Sequence, residues 1–229
     1  MSQIILDSGP IISLSLNDLL WLFDKVKDYY GTTFSVTEAV KHEVLDHPLA
    51  GKRFKLEALQ VMRLMKKGTF DVLKSPEIDA LTNEMLPLAN ACYSAKGNKL
   101  QLVHYAEMSA IAAAILSKAD AVMIDERTTR YLFEKPEKLR NVLQHKLHTP
   151  VELDKVVLAK LRRMAKNVKF TRSAEFTAVC FEKGLLDNLL PDMPKSKENL
   201  LDALLWALKL NGCAISTKDL ETLLRLESK

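Results

Sequence analysis

Ile4-Ile5-Leu6-Asp7, near the N-terminus, has the same pattern as Val122-Met123-Ile124-Asp125 in the middle of the chain. Both are short apolar runs that end in an aspartate, which is the pattern of a buried strand. Ligands of parallel α/β sheets bind outside the carboxyl ends of the strands. We therefore expect Asp7 and Asp125 to lie close together at one edge of a sheet, although an aspartate after a strand is more often a turn or helix-capping residue.

The segments between these two runs alternate between extended and helical patterns. Thr32–Val36 is β-branched and aromatic and predicts a second strand. Asn17 predicts the N-cap of a helix from Asp18 to about Tyr29, which Gly31 ends. Residues 51–96 have a mainly helical pattern. Because strands and helices alternate, the sequence predicts an α/β fold in which helices cover both faces of a central parallel sheet.

The rest of the chain continues this alternation and then becomes helical. Four further elements are predicted: a helix from about Tyr105 to Lys118, a strand near Thr149–Leu153, a basic helix from Asp154 to Lys166, and a strand at Val168–Thr171. Pro191-Asp192-Met193-Pro194-Lys195 is the best candidate for a linker. We therefore divide the chain into a main domain at 1–190 and a small helical C-terminal appendage at 191–229.

The composition sets limits on location and partners. Of 229 residues, 48% are hydrophobic and 27% are charged, as in ordinary soluble globular proteins. No stretch approaches the roughly 20 apolar residues that cross a bilayer, and the N-terminus lacks the features of a signal peptide. We therefore expect a cytoplasmic protein with no membrane partner. The net charge of +4 permits a nucleic-acid partner without demanding one. The three separated cysteines, in apolar surroundings, favour buried free thiols over disulfides or a zinc site.

Two glutamates extend the set of acids. Glu107 lies at the head of an alanine-rich helical pattern, where an acid is favourable by itself. Glu43 borders the apolar face of a helix that Thr37 is predicted to cap, whereas Glu38 lies nearer the opposite side. Four carboxylates in one pocket repel one another strongly unless cations neutralise them. Since Mg²⁺ and Mn²⁺ prefer oxygen ligands, the sequence indicates a site for one or two such ions.

The order and spacing of four short stretches carry a family resemblance. They are Ile4-Ile5-Leu6-Asp7-Ser8; Ser35-Val36-Thr37 followed by Glu43; Ala106-Glu107 leading into Ile111-Ala112-Ala113-Ala114; and Val122-Met123-Ile124-Asp125-Glu126-Arg127. Together they resemble the PIN-domain ribonucleases over about residues 3 to 172. The resemblance is closest to prokaryotic members, which include toxins of toxin–antitoxin pairs. It implies a three-layer PIN-like fold at 1–190, whereas the appendage at 191–229 has no counterpart in the compact toxins.

The resemblance implies a catalytic role for each acid. Asp7 and Asp125 would be the principal metal ligands. Glu43 and Glu107 would complete the catalytic cluster and bind Mg²⁺ or Mn²⁺ directly or through water. The metal would activate a water molecule that hydrolyses an RNA phosphodiester bond. The expected activity is therefore that of a metal-dependent endoribonuclease.

Three neighbours of these acids bear on the resemblance. Ser8 is the small hydroxyl residue that family members usually carry beside the first acid. Glu126 is a spare carboxylate, either a further ligand or a solvent-facing side chain. The residue before the last acid is often Thr or Ser in the family but is Ile124 here. A hydrogen bond that would position Asp125 is therefore expected to be missing.

Four arginines are candidate RNA-binding residues. Arg127 and Arg130 lie just beyond Asp125, where they could contact the scissile phosphate or its neighbour. Arg162 and Arg163 belong to the densest basic stretch of the chain and could bind the RNA backbone. A solvated helix face is the more common explanation of such a stretch.

Other functions fit the sequence less well. His42 and His47 are five residues apart, so they lack the four-residue spacing of a zinc protease. Gly9 stands where a phosphatase of the haloacid dehalogenase type needs a second aspartate. The alternative that stays open is a catalytically silent PIN-like module that binds RNA or a protein, because Ile124 departs from the family pattern. A homodimer is the default assembly, and an antitoxin would be a further partner if the chain belongs with the toxins.

Overall fold

A computed structural model describes residues 2–227 of the chain. The strands are β1 (Gln3–Leu6), β2 (Thr33–Thr37), β3 (Phe70–Leu73), β4 (Tyr93–Ala95), β5 (Asn98–Lys99), β6 (Ala121–Met123), β7 (Val151–Leu153) and β8 (Phe170–Thr171). The helices are α1 (Ser8–Leu16), α2 (Trp21–Tyr30), α3 (Glu38–Lys41), α4 (His47–Ala50), α5 (Lys55–Lys66), α6 (Pro76–Ala89), α7 (Tyr105–Ser117), α8 (Arg127–Glu134), α9 (Pro136–Leu147), α10 (Lys155–Met164), α11 (Ser173–Glu182), α12 (Ser196–Leu210) and α13 (Thr217–Glu227).

The central sheet has five parallel strands in the order β3-β2-β1-β6-β8. β1 lies in the middle, where Ile5 pairs with Ser35 on one side and with Val122 on the other. Because helices cover the sheet, its central apolar residues are fully buried, as Ile5 and Val122 are. The predicted α/β fold with a parallel sheet flanked by helices is confirmed. A separate antiparallel sheet, β5-β4-β7, lies outside it.

The structure corrects the sequence-based prediction at the first helix. α1 begins at Ser8, directly after β1, where a break was predicted. Pro10 is compatible with this helix because a proline in the first turn lacks only an N–H that has no intrahelical partner. Asn17 is the C-cap of α1 and not the N-cap of the next helix, which begins at Trp21. Gly31 ends that helix in a left-handed conformation, as predicted.

Three further elements were not predicted. β3 and β4 lie within the stretch at 51–96 that was predicted to be helical, and both bring short segments to the edges of sheets. α8 follows Asp125 directly, because Glu126 caps its first turn. The strand predicted near 149–153 is present as β7, but it pairs with β4 in the small sheet instead of joining the central one.

The C-terminal segment packs against the main body of the protein. α12 and α13 lie on α11, with Leu201, Leu205 and Leu208 buried. Between these helices, the backbone N–H of Ala214 donates to the backbone oxygen of Asp125 at 3.1 Å. The appendage is thus helical, as predicted, and it touches the segment that carries one of the predicted catalytic acids. The division at residue 190 stays a prediction, and Met1 and residues 228–229, at the outer ends of the two predicted units, lie outside the described residues.

Two expectations from composition can be compared with the structure. Cys92, Cys180 and Cys213 are buried and free, as predicted. Across residues 2–227, no helix combines the length and apolarity that crossing a membrane requires.

Candidate active site

Asp7 lies at the carboxyl end of the central strand. Its backbone N–H donates to the oxygen of Met123 at 3.0 Å, which extends the pairing of β1 with β6 by one residue. The side chain is 2% exposed and caps α1, since Oδ2 accepts the N–H of Gly9 at 3.5 Å. Oδ1 is buried, and nothing in residues 2–227 donates a hydrogen bond to it. The first acid of the predicted site therefore has one unsatisfied oxygen in the interior.

The charge state of Asp7 follows from these surroundings. Burial raises its pKa to about 8, and the charges of Glu107 and Glu43 raise it further, against the opposing effect of the backbone N–H groups of Ser8 and Gly9. Without a cation, the carboxyl group is therefore largely protonated at neutral pH. Such a group needs a positive charge nearby in order to ionise, which is the condition that a bound divalent cation supplies.

Glu107 lies in the first turn of α7, where it is half-buried. Burial raises its pKa, while a hydrogen bond from Thr129 opposes that rise. Thr129 is a buried residue of α8, and its hydroxyl donates to Oε2 of Glu107 at 2.6 Å. Glu126 starts α8 by accepting the N–H of Thr128 at 2.9 Å. The spare carboxylate of the sequence therefore works as a helix cap that indirectly places Thr129 beside Glu107.

Asp125 follows β6 and is 1% exposed. Ser173, the first residue of α11, donates twice to its carboxylate, from the backbone N–H at 2.8 Å and from the hydroxyl at 2.7 Å. Gly9 shows how close the two aspartates lie: an added Cβ would be 3.4 Å from Cβ of Asp125 and 3.6 Å from Oδ2 of Asp7. The structure therefore places Asp7 and Asp125 side by side at one edge of the sheet.

Glu43 lies in an irregular part of the second predicted helix. A π-helical turn at His42–Asp46 interrupts the helical run between α3 and α4, and Glu43 is exposed within it. Such turns occur often at functional sites, because the extra residue changes the direction of the side chains. The charge of Glu43 contributes to the raised pKa of Asp7, so the two carboxylates are near each other. Glu38 is exposed and pairs with Lys41 at 3.7 Å.

The acids converge without forming a closed set of metal ligands. Within residues 2–227, no three His, Cys, Asp or Glu side chains are arranged so that they could hold a metal ion together. Asp125 has both oxygens engaged by Ser173, and Glu107 has one engaged by Thr129. Asp7 is the acid whose buried oxygen is available. A cation here would bind to few protein oxygens and keep several water ligands, as Mg²⁺ usually does.

The candidate RNA-binding arginines lie at different places. Arg127 is exposed at the start of α8, two residues after Asp125. Arg130 is one turn further on and pairs with Glu134 at 3.1 Å. Arg162 and Arg163 are exposed in the last turn of α10, near the beginning of β8. Since the acids follow the ends of strands, this pair of arginines does not belong to the same cluster.

Ser173 and Thr129 are site residues that the sequence did not reveal. Each donates a hydrogen bond to an acid that is distant in the chain, and no local motif marks either residue. The sequence predicted that Asp125 lacks a positioning hydrogen bond, because Ile124 replaces the usual hydroxyl residue. The prediction of a missing bond is wrong, since Ser173 supplies two such bonds from another strand end.

We expect Ser173→Ala to lower the rate of RNA cleavage by about 10- to 100-fold, the usual cost of losing a residue that orients a metal ligand. The free energy of unfolding should fall by about 1–3 kcal/mol, because a buried carboxylate loses one hydrogen bond. Ser173→Thr should restore much of the rate. Thr177→Val is the matched control: Thr177 is buried on the same helix, and nothing in the described residues bonds its hydroxyl. An equal rate loss in both variants would contradict a positioning role for Ser173.

The fold and the site define a class of protein: a parallel α/β protein with buried carboxylates at the carboxyl edge of its sheet, where the central strand feeds directly into a helix. Residues 3–137 match the family model DUF3368, which is described as a PIN domain. Because the match covers more than half of the chain, the protein belongs to this family of PIN domains. Searches among curated proteins and among solved structures gave no match. The resemblance found in the sequence is thereby confirmed, and the chain has a nuclease-type fold.

Proposed function

We propose that this protein is a metal-dependent endoribonuclease that hydrolyses RNA phosphodiester bonds with a metal-activated water. The observation that carries the proposal is the buried carboxyl group of Asp7, which has an oxygen without a partner beside two further carboxylates. A group of this kind is costly to keep ionised in the interior unless a cation neutralises it. The PIN-domain family supports nuclease chemistry in general, since its members are typically nucleases.

The residues present fit a hard divalent cation. Asp7 would bind it through the free Oδ1, and Glu107 and Glu43 would contribute charge directly or through water. When bound, Mg²⁺ or Mn²⁺ lowers the pKa of a water molecule and stabilises negative charge on the phosphate. Asp125 keeps its orientation through Ser173 and completes the negative wall of the site. Arg127, exposed beside this wall, is available to contact a phosphate of the substrate.

The metal site predicts a particular pH dependence. The pKa of Asp7 is raised in the folded state, so in the absence of metal Asp7 binds its proton more tightly in the folded than in the unfolded protein. Its contribution to stability is complete at low pH and is lost as pH rises from about 4 to about 8. Mn²⁺ has to displace that proton, so its affinity should rise through the same range and level off above about pH 8.

We therefore expect millimolar Mn²⁺ to raise the melting temperature, by an amount that grows between pH 5 and pH 8. Glu43→Gln should reduce this increase, because it removes one carboxylate near Asp7. Glu38→Gln is the matched control, since Glu38 is exposed on the same helical run and pairs with Lys41. The measurement is a thermal melt at each pH with Mn²⁺ or with EDTA. A Mn²⁺ effect that is independent of pH, or equal in both variants, would count against a site at Asp7.

A silent PIN-like module is the second candidate. Two observations favour it: no three metal-binding side chains are gathered within residues 2–227, and both oxygens of Asp125 are already engaged. Incubating a labelled structured RNA with the protein, in Mn²⁺ or in EDTA, separates the two candidates. Cutting that requires metal supports the nuclease, whereas RNA binding without cutting supports the module. A homodimer and an antitoxin partner stay predictions from the sequence.

A further inference from the structure

A basic cavity lies at the edge of the central sheet, beside β8. Its volume is about 640 Å³, and four of its lining residues are cations from the end of α10 and the start of β8: Arg162, Arg163, Lys166 and Lys169. A second cavity, of about 440 Å³, shares Arg163 and Lys166 with the first and adds Lys118 from the end of α7. The two cavities therefore form one strip of positive charge along this edge.

The charge of the basic cavity is not compensated from within the protein. Residues 155–174 contain seven cations and no acid. Within the part of the chain that the structure describes, none of the four cavity cations has an ion-pair partner, although neighbouring cations do, such as Lys160 with Glu84 at 3.8 Å. Glu134 also lines the cavity, but it pairs with Arg130 at 3.1 Å. The cavity is therefore left with a net positive charge that an anionic ligand would neutralise.

The position of the basic cavity relative to the acids follows from the pairing of β8 with β6. At the start of β8, the carbonyl of Lys169 accepts the N–H of Val122 at 2.8 Å. Just beyond its end, Ser173 donates to Asp125. Four residues of extended chain span about 13 Å, so the cavity and the acids are about that far apart along the strand. At roughly 3.4 Å per nucleotide in a helical strand, this distance corresponds to about four nucleotides.

The lining of the basic cavity suits a phosphate backbone better than bases or an apolar partner. Phe133 and Phe170 line it, but they stack on each other with ring centroids 5.3 Å apart. Phe133 is also buried, so it is not free to stack on a base or to enter a partner protein. Protein interfaces depend on a few such exposed apolar anchors. Exposed arginines and lysines without an aromatic partner instead bind the backbone with little sequence preference.

We propose that the basic cavity is a second RNA-backbone site, which holds the substrate strand about four nucleotides away from the bond that the acid site cuts. This inference rests on the proposed nuclease function for its second half only. The basic cavity can bind RNA whether or not the acids cut it. RNA that occupies both sites would be held more tightly than RNA that reaches only one, because the second contact is made within the same complex.

The test is a variant in which Arg162, Arg163, Lys166 and Lys169 are all changed to Gln. Its control changes four exposed lysines that line neither cavity, Lys55, Lys66, Lys99 and Lys146, so that both variants lose the same charge. Binding of an RNA of about 12 nucleotides is measured in EDTA as a function of salt. Since each single-strand phosphate contact contributes about 0.7 to the salt slope, the cavity variant should lose about 0.7 per contact, and the control much less.

Cleavage kinetics with Mn²⁺ give the second readout. For the longer RNA, the cavity variant should raise KM about 10-fold or more with kcat nearly unchanged, whereas cutting of a dinucleotide, too short to reach the cavity, should be unaffected. Equal losses in both variants would overturn the proposal, as would tighter binding of a polyglutamate peptide than of RNA, which would assign the cavity to an acidic protein. RNA that binds through the cavity but is never cut would leave the second site standing and refute the nuclease.

Discussion

Asp7→Asn should abolish RNA cleavage and at the same time stabilise the metal-free protein at neutral pH. The carboxyl group is buried, its Oδ1 has no partner in the described residues, and its pKa is raised to about 8. Asparagine has nearly the same shape and no charge, so it removes the cost of ionising Asp7 in the interior. The same change removes the ligand on which the proposed cation depends, and cleavage should fall by at least about 100-fold.

The two effects are separated by measuring stability as a function of pH in EDTA. Between about pH 4 and pH 8, the free energy of unfolding of the original protein should fall by up to about 1.4 kcal/mol per pH unit through Asp7 alone. The variant lacks this group, so the difference between the two should be small at pH 4 and largest near pH 8. With Mn²⁺ the difference should shrink, because metal stabilises only the original protein. A variant that still cuts RNA would place the catalytic centre elsewhere.

Gly212→Ala should detach the C-terminal segment from the site. Gly212 has a φ of +130°, which other residues rarely adopt, and an added Cβ would lie 2.9 Å from the hydroxyl of Ser13 on α1. The segment around Gly212 cannot keep its place, so Ala214 would lose its hydrogen bond to the backbone of Asp125. We expect a loss of about 1–3 kcal/mol in stability from the backbone alone, with more from the contact, and a lower cleavage rate.

Two controls isolate the contact with Ser13. Gly97 also has a positive φ, of +77°, but nothing lies within 4 Å of an added Cβ, so Gly97→Ala should cost about 1–2 kcal/mol and leave cleavage unchanged. Ser13→Ala removes a buried hydroxyl that has no partner among the described residues, so by itself it should be nearly neutral. Combined with Gly212→Ala, it should restore part of the lost stability and rate. Without that recovery, the contact between α1 and the appendage would not be what holds the segment.

The sequence predicted the parts of the fold that local chemistry determines. The apolar runs before Asp7 and Asp125 are strands because they are buried on both faces, and the alanine-rich stretch after Glu107 is a helix whose small side chains are buried. The first helix was missed because Ser8-Gly9-Pro10 reads locally as a break. Its formation depends on Asp7 as the N-cap, so the residue predicted as a metal ligand is also what starts the helix.

The site was predictable as a set of acids and not as an arrangement. The strand ends identified Asp7 and Asp125, since neighbouring parallel strands end at the same edge. Ser173 could not be found this way, because its contact with Asp125 depends on β8 being the neighbour of β6, which short strands do not reveal. The engagement of both oxygens of Asp125 likewise follows from tertiary structure. The basic stretch was visible in the sequence, but its separation from the acids depends on the direction of β8.

The hydrogen bond between Ala214 and Asp125 also has a consequence for the newly made chain. Ribosomes deliver all five strands of the parallel sheet before they deliver Ala214, and domains begin to fold from the N-terminal side during synthesis. The sheet and the acids can therefore assemble while the backbone oxygen of Asp125 still lacks this partner. A nascent chain presents the site in an incomplete form, and the last contact forms only after translation has passed residue 214. For a nuclease, that order delays completion of the site beside the messenger RNA that encodes it.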